Sequence, residues 1–374
     1  MSRRTLIRAG LTALLAIPGL VLTGVGSGSA SAAATARTPT WHVVYRQPGM
    51  DITAVSAAGP DSAWAIGIDR RHGTGLLLHW NGSRWRSMHY RGEAADLPTA
   101  IFALSPTDFW LFVQNSYQAL HWSSGQWTEL QMPVAGYPMA VLSDTSIWIW
   151  GGNVPACDVS SNAGRGCTAT SHWNGATWTS YPLAAQNIAN VSGSSRAGVW
   201  LVGESYTRTR ALPHHGGYVT TFLPYVYRWT GTAWQRSGLA VRRTSARPSI
   251  VAESPKRVFV AEASAAHPTA CAMHFDGSKW TPLYLPGQRG ACDWAASDEH
   301  GGLWFSGTLG PGISFVHWTG KRFVTTRRFR PLPSFNTNGF LVAAVPRSSA
   351  VWAFGSYCSV SRVCRVVGLI ARIR

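Results

Sequence analysis

Between Thr207 and Tyr218 the chain reads TRTRALPHHGGY, twelve residues that hold two arginines, two histidines and a tyrosine. These are the side chains needed to remove a proton beside a carboxylate. Arg208 and Arg210 would neutralise the acid, and His214, His215 or Tyr218 would act as the base near neutral pH. Arginine also recurs without such company, at Arg70, Arg71, Arg242, Arg243, Arg327 and Arg328. The guanidinium fork pairs with carboxylate, sulfate or phosphate better than a lysine point charge does. A carboxylate pair for glycoside hydrolysis would have to come from Glu204, Glu253 and Asp293. No G-x-S-x-G elbow, P-loop or H-E-x-x-H segment occurs.

The six cysteines form no C-x-x-C pair, so a zinc site has little support, and no metal or cofactor is expected. An even count suits disulfides in an exported chain. Cys157 lies near Cys167 and Cys358 near Cys364, which leaves Cys271 and Cys292 as the third pair.

Export is the reading of the first 36 residues. They open with MSRRTLIRAG, pass through LTALLAIPGLVL and end among small residues, where Ala30-Ser31-Ala32 and Ala34-Thr35-Ala36 each offer a cleavage site. Ser2, Arg3, Arg4, Leu6 and Ile7 resemble a twin-arginine motif, with ordinary Sec export as the alternative. The apolar run contains Pro18 and is shorter than the roughly 20 residues of a membrane span. Removing this segment, with Arg3, Arg4 and Arg8 and no acid, takes the formal charge from +17 to +14. Such a surface favours anionic partners. In an exported protein those are acidic polysaccharide or cell-wall polymer rather than nucleic acid.

What would carry these side chains is a repeat. Seven segments share one pattern: DSAWAIG, TDFWLFV, TSIWIWG, AGVWLVG, KRVFVAE, GGLWFSG and SAVWAFG. Their anchors are Trp64, Trp110, Trp148, Trp200, Phe259, Trp304 and Trp352, spaced 38 to 59 residues apart. Six are followed by a second copied segment, as in HWNGSRW at 79–85 and HFDGSKW at 274–280. Each unit holds four short apolar runs bounded by turn residues, which predicts four antiparallel strands. Seven such units at this spacing predict an all-β, seven-bladed propeller over residues 37–374. The last unit lacks a fourth strand, while TWHVVYRQ at 40–47 is an orphan at the other end. The N-terminal strand is therefore expected to complete the last blade. The copied tryptophans are expected between blades. His79, His121, His172, His274 and His317 share one register on five different blades, so they cannot converge on one metal.

The pattern V-W-x-V/F-G followed by L-x-H-W-x-G-x-x-W resembles the repeat of secreted bacterial propellers. It is distantly similar to tectonin or tachylectin-type lectin propellers. The resemblance covers nearly all of the chain after residue 36, and it implies a propeller and makes a carbohydrate ligand reasonable. Some seven-bladed propellers are polysaccharide lyases that use His, Tyr and Arg on uronates, which gives the 207–218 segment its enzymatic alternative.

In such a ring the turns between strands one and two and between three and four share one face. Connections from two to three, and from four to the next blade, share the other. The second set is longer here, is read as loop from 68–74, 153–167, 204–222, 237–249, 327–339 and 356–364, and gathers the arginines. Loops on a rigid scaffold are the usual place for binding. The expected function is a secreted binding module whose basic face takes an anionic glycan or cell-wall polymer. The alternatives are a lyase acting on uronate polymers and an extracellular protein-interaction scaffold.

Overall fold

The computed structural model describes residues 40–374 apart from 91–96, 136, 152–167, 212–217, 239–247, 262–269, 286–291, 293, 299, 308–313, 326–336, 347, 359–365 and 374. At 206–211, 218–222, 307, 314, 325, 337–339 and 358 it describes the backbone alone.

The apolar runs become seven antiparallel sheets of four strands each, taken in sequence order. Blade 1 consists of Met50–Gly59, Ser62–Asp69, Thr74–Trp80 and Trp85–Met88. Blades 2 to 6 begin at Pro98, Tyr137, Asn187, Ser249 and Trp294. Blade 7 takes Thr337–Ala344, Val351–Cys358 and Val366–Ile373 from the C-terminus and Trp41–Pro48 from the N-terminus. That last strand pairs from Trp41 opposite Ile373 to Pro48 opposite Val367, so the expected closure is present. First strands of neighbouring blades touch around the whole ring.

Second strands are buried along most of their length, as in SAWAIG of blade 1. Each blade is covered on both sides by neighbours, so these strands need no polar alternation. The core is accordingly divided into seven apolar clusters among the described residues, one at each blade–blade interface. The copied tryptophans fill them. Trp80 packs with Trp352 of blade 7, Trp122 with Trp64, Trp173 with Trp110, Trp229 with Trp148, and Trp318 with Phe259. Burying one such ring contributes on the order of 2–3 kcal/mol.

The histidines have a structural task as well. Each stacks on the anchor aromatic of the adjacent second strand: His79 on Trp64, His121 on Trp110, His172 on Trp148, His274 on Phe259 and His317 on Trp304, with centroids 4.1 to 4.6 Å apart. Burial lowers the pKa of His79, His172 and His274, so these stack as neutral rings at pH 7. In the two remaining blades Arg228 lies over Trp200 and Arg372 over Trp352.

The turn after each third strand explains the copied glycine. In blade 1 the Asn81 Oδ1 accepts the N–H groups of Ser83 and Arg84, which tightens the turn, and Gly82 sits at φ +89°. Only glycine adopts that conformation without strain.

Of the three expected disulfides, the one described is Cys271–Cys292. Its two cysteines are fully buried in the cluster between blades 5 and 6. Cys157, Cys167 and Cys364, and the side chain of Cys358, lie outside the described residues. The bond closes a segment 21 residues long, so the Cys271→Ala/Cys292→Ala variant should lose about 3 kcal/mol of stability. A melting temperature equal to that of the parent would contradict this.

Candidate functional site

Both ends of the ring offer polar clusters. On the face of the two-to-three connections, Asp51 opens the first strand of blade 1 and is buried. Its Oδ1 accepts the Ser356 hydroxyl at 2.6 Å, and its Oδ2 lies 2.5 Å from Arg70. This joins the first and last blades across the closure. Arg71 is exposed beside Gly49, with its backbone N–H held by Asp69. The first and second strands open onto this face too, and bring Asp51 and Asp69 among the arginines. Arg70 is thereby tied into an ion pair, while Arg71 makes no described ion pair.

The segment 204–222 is not a simple loop, and here the structure corrects the sequence reading. Second and third strands of blade 4 run from Gly198 to Ala211 and from Tyr218 to Trp229. They stay paired out to Ala211 opposite Tyr218, with Arg208 opposite Thr221 and Arg210 opposite Val219. The other second strands have five to eight residues, against 14 in blade 4. The seven residues from Ser205 to Ala211 extend the strand by about 20 Å at 3.3 Å each. The signal was available in the threonine-rich alternation of SYTRTR and YVTTF, which favours strand over coil. Residues 356–358 likewise continue a strand rather than beginning a loop.

The opposite face holds a cavity of about 550 Å³ where the first strands of blades 4, 5 and 6 end. Glu253 is among the residues that line it. Ser297 donates to Oε1 at 2.5 Å, and Arg257 Nε lies 2.8 Å from Oε2. Burial raises the Glu253 pKa, against the opposing pull of Ser297, Arg257 and Arg196. Arg257 also donates to the Gly301 carbonyl. Arg196 is exposed at the rim and makes no hydrogen bond to a described residue. His300 lines the cavity and places Nδ1 2.7 Å from the Asp298 carbonyl oxygen. A carbonyl can only accept, so Nδ1 carries the hydrogen and Nε2 of the neutral ring is an acceptor. Beneath it, burial would raise the Asp298 pKa, but hydrogen bonds from His317, Gly302 and His300 outweigh it and hold the carboxyl low.

These placements sort the expected site residues. Arg242, Arg243, Arg327, Arg328, His214, His215 and Asp293 lie outside the described residues, and Arg208, Arg210 and Tyr218 are placed by backbone. Glu204 is buried opposite Asn187, at the start of a first strand, whereas Glu253 is near the end of one. The two are on opposite faces and do not form a carboxylate pair. The cavity lies among the short turns, away from the long connections that the sequence singles out. The departures of SSRAG, SPKR and DEHGG from the usual turn carried the signal.

Metal-ligating side chains gather, among the described residues, at Asp108, His121 and Asp144. His121 Nε2 is 3.0 Å from Asp108 and 3.2 Å from Asp144. Trp110 Nε1 donates to Asp144 and Ser123 to Asp108. Hydrogen bonds and ion pairs within the protein thus engage all three, and the group braces blade 2 against blade 3.

No family model matches the sequence, and no curated protein matches it. Solved structures do resemble the fold. YCF48 bound to D1 peptide is 14% identical, with a TM-score of 0.58 over 89% of this chain and 94% of that one. A catalytically inactive virginiamycin B lyase from Staphylococcus aureus with quinupristin is 10% identical, with a TM-score of 0.54 over 88% and 99%. The extracellular domain of a one component system from B. thetaiotaomicron is 10% identical, with a TM-score of 0.53 over 87% of this chain and 40% of that one. At these identities the likeness is one of fold. Among the described residues no helix is long and apolar enough to cross a membrane.

Proposed function

We propose that this chain is an exported binding propeller that takes an anionic polysaccharide or cell-wall polymer on the face of its long connections. The observation that carries the reading is the extended hairpin of blade 4, which places Arg208 and Arg210 at alternate positions beyond the body of the ring. Arg71 on the same face and the formal charge of +14 that remains without the first 36 residues support it. So does the buried Cys271–Cys292 bond, which suits an oxidising compartment outside the cell. Arg242, Arg243, Arg327 and Arg328 would extend the surface. The structural neighbours that carry a bound D1 peptide or quinupristin support the use of such a ring as a binding platform.

The test is retention on immobilised polygalacturonate and on purified cell wall across a salt series. Binding should be present at low ionic strength and fall steeply as the screening length drops to about 10 Å near 0.1 M salt. Changing Arg208, Arg210, Arg242 and Arg243 to alanine should weaken it by about tenfold or more. Absence of retention at low salt, or equal retention of the variant, overturns the proposal. Capture of a polypeptide instead would favour an interaction scaffold.

A further inference from the structure

From the cavity at the ends of the first strands of blades 4 to 6 we infer a second binding site, one for a hydroxylated carboxylate of monosaccharide size, that is, a sugar acid. Its volume of about 550 Å³ falls within the range of small-molecule pockets, about 300–1,000 Å³. Its walls are polar, so an apolar ligand would gain little there. The charges specify the rest. Arg257 is oriented by Glu253 on one side and the Gly301 carbonyl on the other. One N–H is spent on the Gly301 carbonyl and Nε is buried in the ion pair with Glu253, which leaves N–H groups of the guanidinium terminus for a ligand. Arg196 adds a second guanidinium at the rim. Both line the one cavity, which suits them to a single carboxylate. Glu253 cancels part of this positive charge, which suits a monoanion better than a doubly charged phosphate. In the neutral ring the bond at Nδ1 leaves His300 Nε2 as an acceptor, and that form calls for a hydroxyl donor. A carboxylate beside hydroxyl groups answers both demands.

The same chemistry occurs in a free sugar acid and in the terminal residue of an acidic polymer. The site does not rest on the reading of the long-connection face, because it lies at the other end of the strands and uses none of those arginines.

Isothermal titration of the purified protein with sodium glucuronate tests it, with glucose and inorganic phosphate as comparators. Glucuronate should bind saturably at millimolar concentration or below, and glucose should not. Arg196→Ala and His300→Ala should each weaken glucuronate by about tenfold or more. Arg84→Ala, in a turn of blade 1 on the same face, should leave it unchanged. Arg196 and His300 are both exposed, so melting temperatures equal to the parent's are expected and would show that the variants are folded. Trigalacturonate binding tighter than glucuronate would support a polymer end as the source, and weaker binding would support the free acid. The inference is overturned by no heat of binding, by glucose or phosphate binding as well as glucuronate, or by folded Arg196→Ala and His300→Ala variants that bind like the parent. Polymer retention that survives the loss of glucuronate binding, or the reverse, separates this site from the other face.

Discussion

Deletion of residues 40–48 should leave a protein that is not recovered as a stable monomer. The strand Trp41–Pro48 is the outer strand of blade 7, and every residue from Val367 to Ile373 that it covers is buried. Trp41 is 8% exposed and packs its ring on Phe315 at 4.4 Å and against Trp304 at 5.8 Å, both in blade 6. Losing it removes about 2–3 kcal/mol for this one side chain. The ladder and the cover over Leu369 and Ile373 go with it. Typical domains have only about 5–15 kcal/mol in total. The bare edge is also a template for pairing with other chains. Size exclusion and circular dichroism melting would check this, and a monomer melting like the parent would refute the closure. Trp41→Ala is the milder version. It should cost about 3–5 kcal/mol and lower the melting temperature by about 10 °C.

Trp352→Ala should cost about 4–5 kcal/mol, the upper part of the range for emptying a buried aromatic site. The ring is fully buried at the interface between blades 7 and 1, with Trp80 and Trp85 each 5.3 Å away and the Arg372 guanidinium 5.1 Å above it. The cavity left would lie between two rigid sheets that cannot easily close on it. Trp352→Phe should cost only about 1–2 kcal/mol. The Trp352 Nε1 has no hydrogen-bond partner among the described residues, so phenylalanine gives up packing but no bond. Blade 5 already uses Phe259 at this register, stacked on His274 at 4.6 Å. Chemical unfolding of both variants would check the ordering. Equal losses for alanine and phenylalanine would show that ring packing is not what Trp352 supplies.

The difference between the two faces shows why the sites were harder to read than the scaffold. Scaffold residues repeat, because every blade faces the same packing problem, so Trp64 and Trp304 report the same environment 240 residues apart. Site residues do not repeat. Glu253, Ser297 and Arg196 belong to three blades, and only the ring brings them to one cavity. Asp51 and Ser356, 305 residues apart, meet because the chain closes on itself. No local pattern encodes such meetings. The hairpin of blade 4 was mistaken for loop for the opposite reason. Its strand signal was local, but it lay among glycine, proline and paired charges that read as turn.

The amino-acid sequence alone determined the number of blades, the order of strands and the pairing of the two ends, because strand period, turn glycines and buried rings are short-range demands that recur. Tertiary structure alone decided which charges are spent within the protein and which face a ligand. That follows from Coulomb and hydrogen-bonding interactions, which depend on distance in space and are set only once the seven sheets are stacked.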